Sequence, residues 1–315
     1  MRSAEEMIAA VSGGGLPAPR RTWLVLLSGG RDSSCLLDLS VAVIGAPLLR
    51  ALHVNYGLRD TADRDEAWCR ELCQRLGVEL TVIAAGAPPE SGNLQAWARD
   101  VRYQAAEETA APLDADIAVG HTADDQLETV LYRLASSPSR RALRGMGPRS
   151  GRLIRPLLEF TREETTAYCE RRNLAYVDDP TNDSPTYARN RVRSELIPLL
   201  NAIHPGASRN VLALASVLRA EGEVLDELVA DVVGTQTQIP LARLRELPTA
   251  LARLVIQRLA DQYLARVPAS GLASRAEEII AMGPNAHIDL PHGLRATTEE
   301  GVLHFQATPR HNHSR

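Results

Sequence analysis

Short apolar runs alternate with helix-like segments along the first part of the chain. Four of these runs have the composition of buried strands and lie near residues 22–28, 49–55, 79–84 and 116–120. In the segments between them, apolar residues recur at helical spacing, which is typical of strand–helix–strand units. Because parallel strands need such crossover helices, the alternation predicts an α/β fold with a parallel sheet.

The apolar pattern changes from Ser208 onward. It keeps a helical period over about seven turns, with acidic residues on the outer side, which predicts one long helix. Two later segments, 286–296 and 301–305, predict strands with a turn. We therefore expect a flexible N-terminal lead-in at 1–20, a first domain at 21–205, and at 206–315 a long linker helix with a smaller, mainly helical α+β domain.

Length and composition agree with two domains and favour the cytoplasm. The chain has 315 residues, which is longer than one typical domain. Hydrophobic residues make up 44% of it, which is enough to form cores. Four scattered cysteines are too few for a disulfide framework, and nothing completes a zinc site around Cys69 and Cys73. The N-terminus lacks the apolar core of a signal peptide, and no apolar run is long enough to span a membrane.

All 35 basic side chains are arginines, and the net charge is −4. This balance argues against a protein that coats nucleic acid without specificity. Local charge differs, because residues 129–158 hold seven arginines and no acid. Such a stretch favours contact with an RNA backbone, and a plain solvated surface is the alternative.

A glycine-rich hexapeptide separates the first apolar run from a helix-like run. A strand, a tight turn and a helix start gather backbone N–H groups that bind phosphate, and adjacent glycines let the backbone approach it. The alternative is a turn that only tightens the connection. The candidate nucleotide-binding residues are Ser28, Gly29, Gly30, Arg31, Asp32 and Ser33.

Two further segments carry candidate residues, and the first of them lies at the carboxyl end of the second strand, where a doubly wound sheet lines its crevice. His53 and Asn55 end the second predicted strand and are candidates for contact with a base or ribose, although a lone histidine is more often structural. Arg99 and Arg102 lie three residues apart on one face of a predicted helix. Paired guanidinium groups suit a phosphate, and a solvated arginine face is the alternative.

Acidic residues follow the fourth predicted strand. His121 precedes a helix in which Asp124 and Glu128 share one face, with Asp125 beside them. Such acids can hold Mg²⁺ against a triphosphate, or they can bind a substrate ammonium group and accept its protons. They can also simply complement the helix dipole.

The last candidate segment begins at residues 178–183, which read Asp-Asp-Pro-Thr-Asn-Asp, and continues into an arginine cluster. Three arginines surround one asparagine, which is a candidate site for an anion or for nucleic acid, with a solvated basic helix as the alternative. The cluster residues are Arg189, Asn190, Arg191 and Arg193.

In this order, these segments resemble the tRNA(Ile)-lysidine synthetases, a family of the PP-loop (N-type) ATP pyrophosphatases. The resemblance covers about residues 22–200. It implies a Rossmann-like catalytic domain and a C-terminal tRNA-binding domain. It also implies a ligase in which ATP, with Mg²⁺, adenylates the wobble cytidine of tRNA(Ile) with a CAU anticodon, and free L-lysine then replaces AMP. A homodimer is compatible with these expectations.

The resemblance also implies residue roles. The hexapeptide with His53 and Asn55 would bind ATP, and Asp32 and Asp125 would hold the metal ion. Catalysis would fall to Asp32, His121, Asp124, Asp125 and Glu128, and contact with tRNA or phosphate to Arg99, Arg102, Arg133, Arg189, Asn190, Arg191 and Arg193. The chain departs from the family pattern at Tyr56, where a second histidine is usual, at Gln95, where glutamate is usual, and at 135–141, where an Arg-Gly-rich stretch is usual.

Three alternatives stay open. A thiolase-type tRNA-modifying enzyme of the same superfamily would use catalytic or iron–sulfur cysteines, commonly in Cys-x-x-Cys pairs, which the chain lacks. A GMP or NAD synthetase would not explain the arginine cluster at 189–193. A non-catalytic, nucleotide-dependent RNA-binding protein would fit the altered stretch at 135–141 but not the intact set of acids.

Overall fold

The computed structural model describes residues 1–17, 21–58, 61–89, 92–137, 139–177, 188–264, 272 and 275–309. The chain forms two compact units. The N-terminal unit comprises Met1–Tyr132 and Met146–Leu212, and the C-terminal unit comprises Arg133–Gly145 and Ala213–Arg315. The helices are α1 (Ala4–Gly13), α2 (Arg31–Ile44), α3 (Ala62–Leu76), α4 (Leu94–Ala110), α5 (Ala123–Ser136), α6 (Arg140–Leu143), α7 (Arg162–Arg171), α8 (Ala188–Arg191), α9 (Ile197–Ile203), α10 (Ala207–Val233), α11 (Leu241–Glu246), α12 (Thr249–Leu264) and α13 (Ala276–Ile280). The strands are β1 (Trp23–Leu26), β2 (Leu49–Asn55), β3 (Glu79–Ala84), β4 (Asp116–Ala118), β5 (Arg149–Ser150), β6 (Leu153–Ile154), β7 (Gln238–Pro240), β8 (Ala286–Leu290), β9 (Leu294–Glu299) and β10 (Val302–Ala307).

Six strands of the described residues form the sheet of the N-terminal unit, in the order β3-β2-β1-β4-β6-β5. All neighbours pair in parallel except β5 and β6. The four strands predicted from the sequence are confirmed as β1 to β4, and the α/β parallel fold is confirmed with them. The two-residue strands β5 and β6 were not predicted, because two residues carry no periodicity.

The position of β1 explains both the core and the site. All four of its residues are buried, as expected for a central parallel strand covered by helices on both faces. Because β2 and β4 flank β1 on opposite sides, the crossovers leave in opposite directions and open a crevice at the carboxyl ends of these strands. Helix α2, whose Leu36, Leu37 and Leu39 are fully buried, starts at that crevice.

The expected flexible lead-in at 1–20 is wrong over most of its length. Helix α1 begins with a capping box between Ser3 and Glu6. Ala4, Met7 and Val11 recur at helical spacing and are buried in the core of the N-terminal unit. The glycines and prolines that follow the helix dominate this stretch of sequence and mask the short amphipathic period before them.

The C-terminal unit has its own core and an antiparallel sheet in the order β7-β10-β9-β8. The long helix predicted from Ser208 is α10, and the predicted strands are β8, β9 and β10. Residues 133–145, which the sequence assigned to the first domain, belong to this unit instead. Within the unit, Arg140 pairs with Glu221 of α10 at 2.8 Å and Arg144 pairs with Asp226 at 2.8 Å.

The seven arginines of residues 129–158 are divided between the two units. Five of them form salt bridges with carboxylates, namely Arg140, Arg141, Arg144, Arg149 and Arg152. These five guanidinium groups therefore contribute to the fold. This result agrees in part with the alternative to RNA contact, which was a plain solvated surface. Of the helices that the structure describes, none combines the length and the apolar character needed to cross a bilayer.

Candidate active site

A cavity of about 460 Å³ lies in the N-terminal unit at the carboxyl ends of β1, β2 and β4. Its walls come from the loop at 28–33, the end of β2, the start of the segment after β4, and α4. This is the crevice that the topology predicts. It is large enough for a small-molecule ligand.

The loop at 28–33 presents the open N-terminus of α2 to this cavity. Gly29 has a φ of +87°, which a side chain would disfavour. The Ser33 hydroxyl accepts from the Ser28 N–H at 3.2 Å and donates to the Gly30 carbonyl at 2.9 Å, which holds the turn closed. Gly30 is the N-cap and offers no side chain to cap the helix. The first N–H groups of α2 are therefore suited to bind an anion such as a phosphate.

Gly120 brings the end of β4 against the first turn of α2. A Cβ atom at this position would lie 3.0 Å from the carbonyl carbon and oxygen of Asp32 and 3.2 Å from the Ser33 nitrogen. These atoms are backbone and cannot rotate away. A side chain at Gly120 must therefore displace the loop at 28–33.

We expect Gly120→Ala to weaken nucleotide binding about tenfold, because overpacking by one methyl group costs about 1–3 kcal/mol. Calorimetric titration with ATP measures the effect. The control is Gly86→Ala, since nothing lies within 4 Å of a Cβ built there. Equal affinities for the two variants would show that the loop adapts to the extra methyl group.

Asp32 is held from two sides. The Arg31 guanidinium donates to both carboxylate oxygens at 3.0 and 3.2 Å, and the Thr165 hydroxyl donates to Oδ1 at 2.6 Å. Thr165 lies on α7 and is fully buried. The carboxylate of Asp32 is thus fixed at the wall of the cavity, beside the helix N-terminus.

His53 and Asn55 line the cavity, and each also forms hydrogen bonds within the protein. His53 Nδ1 lies 2.9 Å from the Leu27 carbonyl oxygen, and the Asn55 amide donates to Glu66 at 3.0 Å and accepts from the Gly57 N–H at 3.0 Å. These contacts are the structural role that the sequence left open as an alternative. Contact with adenosine stays a prediction for both residues.

The acids of α5 gather around the first turn of α7. Asp124 accepts from the Arg162 N–H at 2.7 Å, and Asp125 accepts from the Arg162 guanidinium at 2.8 Å and from the Thr122 N–H at 2.8 Å. Burial acts to raise the pKa of Asp125, but the Arg162 charge and the Thr122 hydrogen bonds hold that pKa below its ordinary value. Asp125 therefore stays ionised at neutral pH.

Glu128 forms a buried bidentate ion pair. Arg193 donates to its two oxygens at 2.6 and 3.1 Å, and Arg162 lies 3.3 Å from Oε1. Only 4% of Glu128 is exposed, so its charge requires these partners. Arg193 lies in a π-helical turn, Val192–Leu196, between α8 and α9.

His121 lines the cavity and accepts a hydrogen bond at Nδ1 from Arg155 at 3.3 Å. Burial, and the positive charges of Arg155, Arg99 and Arg102, lower the pKa of His121 to about 4, although Asp125 acts in the opposite direction. His121 is therefore a neutral acceptor at neutral pH, so it cannot supply a proton as an acid there.

The remaining arginine candidates lie in different surroundings. Arg102 lines the cavity, and Arg99 lies over the ring of Tyr103. Arg189 is exposed on α8, and Arg191 pairs with Glu195 at 3.3 Å. Asn190 accepts at its carbonyl from the Ser194 hydroxyl, and Arg133 donates to the Gly145 carbonyl within the C-terminal unit. The segment at 178–187 and Arg59 lie outside the described residues.

Asp32 fits a Mg²⁺ ion bound together with nucleotide phosphates, and Asp125 does not. Such an ion takes one or two carboxylates and fills its shell with phosphate and water oxygens. Asp32 lies at the cavity wall, whereas Asp125 is absent from the cavity lining. The described residues hold no cluster of three or more metal-ligating side chains.

Three residues of the site were missed from the sequence: Arg155, Arg162 and Thr165. Arg162 and Thr165 lie in the first turns of α7, which begins with an ordinary capping box between Thr161 and Glu164. Such a local motif gives no sign of long-range contacts. Only the packing of α7 on α2 brings them to the acids. Their single available signal was their position in the chain after the segment that begins at His121.

Comparisons with known proteins place this geometry among relatives. The profile of the PP-loop domain family matches residues 2–200. A tRNA(Ile)-lysidine synthase of Pseudomonas syringae is 38% identical over 229 residues, covering 70% of this chain and 51% of that protein. A tRNA(Ile)-lysidine synthase of Thermus thermophilus is 35% identical, covering 93% and 58%, and one of Parasynechococcus marenigrum is 32% identical, covering 91% and 89%.

The chain spans about half the length of the Pseudomonas relatives that it matches. Among solved structures, the U34-tRNA thiolase NcsA of Methanococcus maripaludis has a TM-score of 0.57 at 18% identity, over 69% of this chain and 78% of that chain. At this identity the likeness concerns the fold alone.

Proposed function

The chain belongs to the tRNA(Ile)-lysidine synthase family and carries a PP-loop domain at residues 2–200, and from this membership we propose that it joins lysine to the wobble cytidine of tRNA(Ile) with a CAU anticodon. The reaction uses ATP and forms lysidine, AMP and pyrophosphate. The observation that carries the proposal is the cavity at the open N-terminus of α2, which Asp32 and His121 line, with the acids of α5 following His121 in the chain. The activity belongs in the cytoplasm, where charged and uncharged tRNA are found.

In the first step, O2 of the cytidine attacks the α-phosphorus of ATP. A new P–O bond forms, the bond to the β-phosphate oxygen breaks, and pyrophosphate leaves. The N–H groups at the start of α2 and the Arg31 side chain bind the phosphates. A Mg²⁺ ion held by Asp32 would supply positive charge between this carboxylate and the phosphates.

In the second step, the ε-amine of lysine attacks C2 of the adenylated base. The C–N bond forms, the C–O bond breaks, and AMP carries away the former O2. The amine must be deprotonated before it attacks and must lose a second proton afterwards. Carboxylates beside the site are the groups that can bind the ammonium form and accept these protons.

Asp124 is the acid that best fits contact with the amine. Asp125 is bound by Arg162 and Thr122, and Glu128 is bound by Arg193 and Arg162. Asp124 uses one oxygen, Oδ2, for the Arg162 N–H, and within the described part of the chain its Oδ1 has no hydrogen-bond partner.

The cysteines argue against the thiolase alternative. Cys35, Cys69, Cys73 and Cys169 are all free and buried. Burial raises the pKa of Cys69 and of Cys73 to about 12. Such thiols are inert at neutral pH, whereas sulfur transfer requires a reactive thiolate or a metal ligand.

The test incubates the whole chain with ATP, Mg²⁺, labelled lysine and tRNA(Ile) with a CAU anticodon. We expect label in the RNA, and none when the wobble cytidine is replaced by uridine. Pyrophosphate release without label would leave adenylation standing and reject lysine as the second substrate. Neither product from a protein that binds ATP would favour the non-catalytic alternative. Light scattering of the same sample tests whether the chain forms a homodimer.

A further inference from the structure

Five side chains form one patch at the edge of the cavity: Tyr56, Trp97, Arg99, Arg102 and Tyr103. We call this patch the rim cluster. Tyr56, Arg102 and Tyr103 line the cavity itself. Aromatic residues make up only 4% of the chain, so three of them at one edge of one cavity is a local concentration.

Internal contacts fix the rings of the rim cluster. The Tyr56 hydroxyl donates to the Ala98 carbonyl at 2.9 Å and accepts from Arg102 Nε at 3.2 Å. The rings of Tyr56 and Trp97 meet edge to face, with centroids 5.9 Å apart and an interplanar angle of 65°. All three aromatic side chains are half-buried, so part of each ring faces solvent. Rings held in this way need no reordering to accept a flat ligand.

The two arginines of the rim cluster differ from the others near the site. Both are exposed, and within the described part of the chain neither forms a salt bridge, whereas Arg31, Arg162 and Arg193 all do. The Arg99 guanidinium lies 4.7 Å from the centroid of Tyr103. The Arg99 guanidinium thus covers one face of the Tyr103 ring, and positive charge lies directly beside the rings at the edge of the cavity.

Aromatic rings beside arginines that have no salt-bridge partner in the described residues are typical of a site for single-stranded nucleic acid. Single-stranded nucleic acid is bound by aromatic rings that stack on its bases and by arginines that contact its backbone. Because the phosphates of ATP are proposed to bind at the N-terminus of α2, the two guanidinium groups of the rim cluster are left for a different phosphate, such as that of a phosphodiester chain. The Tyr56 hydroxyl, which replaces the imidazole usual in the family, holds one of these guanidinium groups in place.

We propose that the rim cluster binds the nucleotide next to the reacting cytidine, with its base stacked on Tyr56 and Tyr103 and its phosphate on Arg99 and Arg102. This proposal rests on the proposed function, because it presumes an RNA loop at the cavity. The stacking holds the loop open, so that the reacting base can enter the cavity unpaired and unstacked.

The experiment uses a short RNA hairpin with the CAU anticodon loop, in which 2-aminopurine replaces the base that follows the wobble cytidine. Its fluorescence reports stacking, and titration gives the Kd. We expect Tyr103→Leu to weaken binding about tenfold or more and to abolish the stacking signal. Tyr103→Phe keeps the ring and should bind as the parent chain does. The control is Tyr263→Leu, at an exposed tyrosine of the C-terminal unit.

Unchanged hairpin affinity and signal in Tyr103→Leu would overturn the proposal. A raised KM for ATP with unchanged hairpin affinity would overturn it too, since the rings would then bind adenine. Loss of hairpin binding in Tyr103→Leu with retention in Tyr103→Phe supports it. If the hairpin results support the rim cluster but the parent chain incorporates no lysine into tRNA(Ile), then RNA binding by the rim cluster is retained and the proposed function is rejected.

Discussion

We expect Asp32→Asn to lower turnover with ATP about 100-fold while the protein stays folded. The change keeps the shape of the side chain and an oxygen for the Thr165 hydroxyl, and it removes the charge. That charge lies at a helix N-terminus that would bind phosphates, where a carboxylate is repulsive unless a cation lies between the two anions. Steady-state kinetics of pyrophosphate release measures the loss.

The dependence on Mg²⁺ separates a role in metal binding from a role in loop geometry. If Asp32 binds the ion, a higher Mg²⁺ concentration should restore part of the activity of Asp32→Asn. Thr165→Val removes the 2.6 Å hydrogen bond to Asp32 without touching the cavity, so its smaller loss should not respond to Mg²⁺. Asp231→Asn, at an exposed site on α10, is the control for charge alone. Normal turnover in Asp32→Asn would show that the charge of Asp32 has no role in the reaction with ATP.

The fold followed from local patterns because it is built from them. The strands β1 to β4 are short runs rich in apolar residues, and the glycine-rich turn and the helix starts carry their own signals. The two failures have physical causes. The helix in the expected lead-in was missed because its amphipathic sequence is short and lies beside a glycine- and proline-rich stretch. Residues 133–145 were assigned to the wrong unit because they join the C-terminal unit through ion pairs, which leave no periodic pattern in the sequence.

The site was predictable only where a residue acts close to its own motif. The hexapeptide meets the cavity because strand, turn and helix are contiguous in the chain. By contrast, Glu128 meets Arg193 across 65 residues, and Thr165 meets Asp32 across 133 residues. Sequence reasoning marked Glu128 and Arg193 as separate candidates, an acid for the amine and a cation for phosphate, and the fold joins them into one buried pair.

That pair changes what substitution of Arg193 should do. We expect Arg193→Ala to lower the free energy of unfolding by about 3 kcal/mol, because it leaves Glu128 buried with one partner fewer. Urea denaturation measures the change. The control is Arg191→Ala, which removes only an exposed pair with Glu195 in the same segment and should cost well under about 1 kcal/mol.

A double variant shows whether the loss comes from the buried charge. In Arg193→Ala/Glu128→Gln the uncompensated carboxylate is gone, so we expect the double variant to be more stable than Arg193→Ala alone, with a coupling energy of about 1–3 kcal/mol. If Arg193→Ala instead keeps the stability of the parent chain and weakens tRNA binding, then Arg193 leaves Glu128 when RNA is bound. The π-helical turn that carries Arg193 would then be the element that moves, since such turns are irregular and are often found at functional sites.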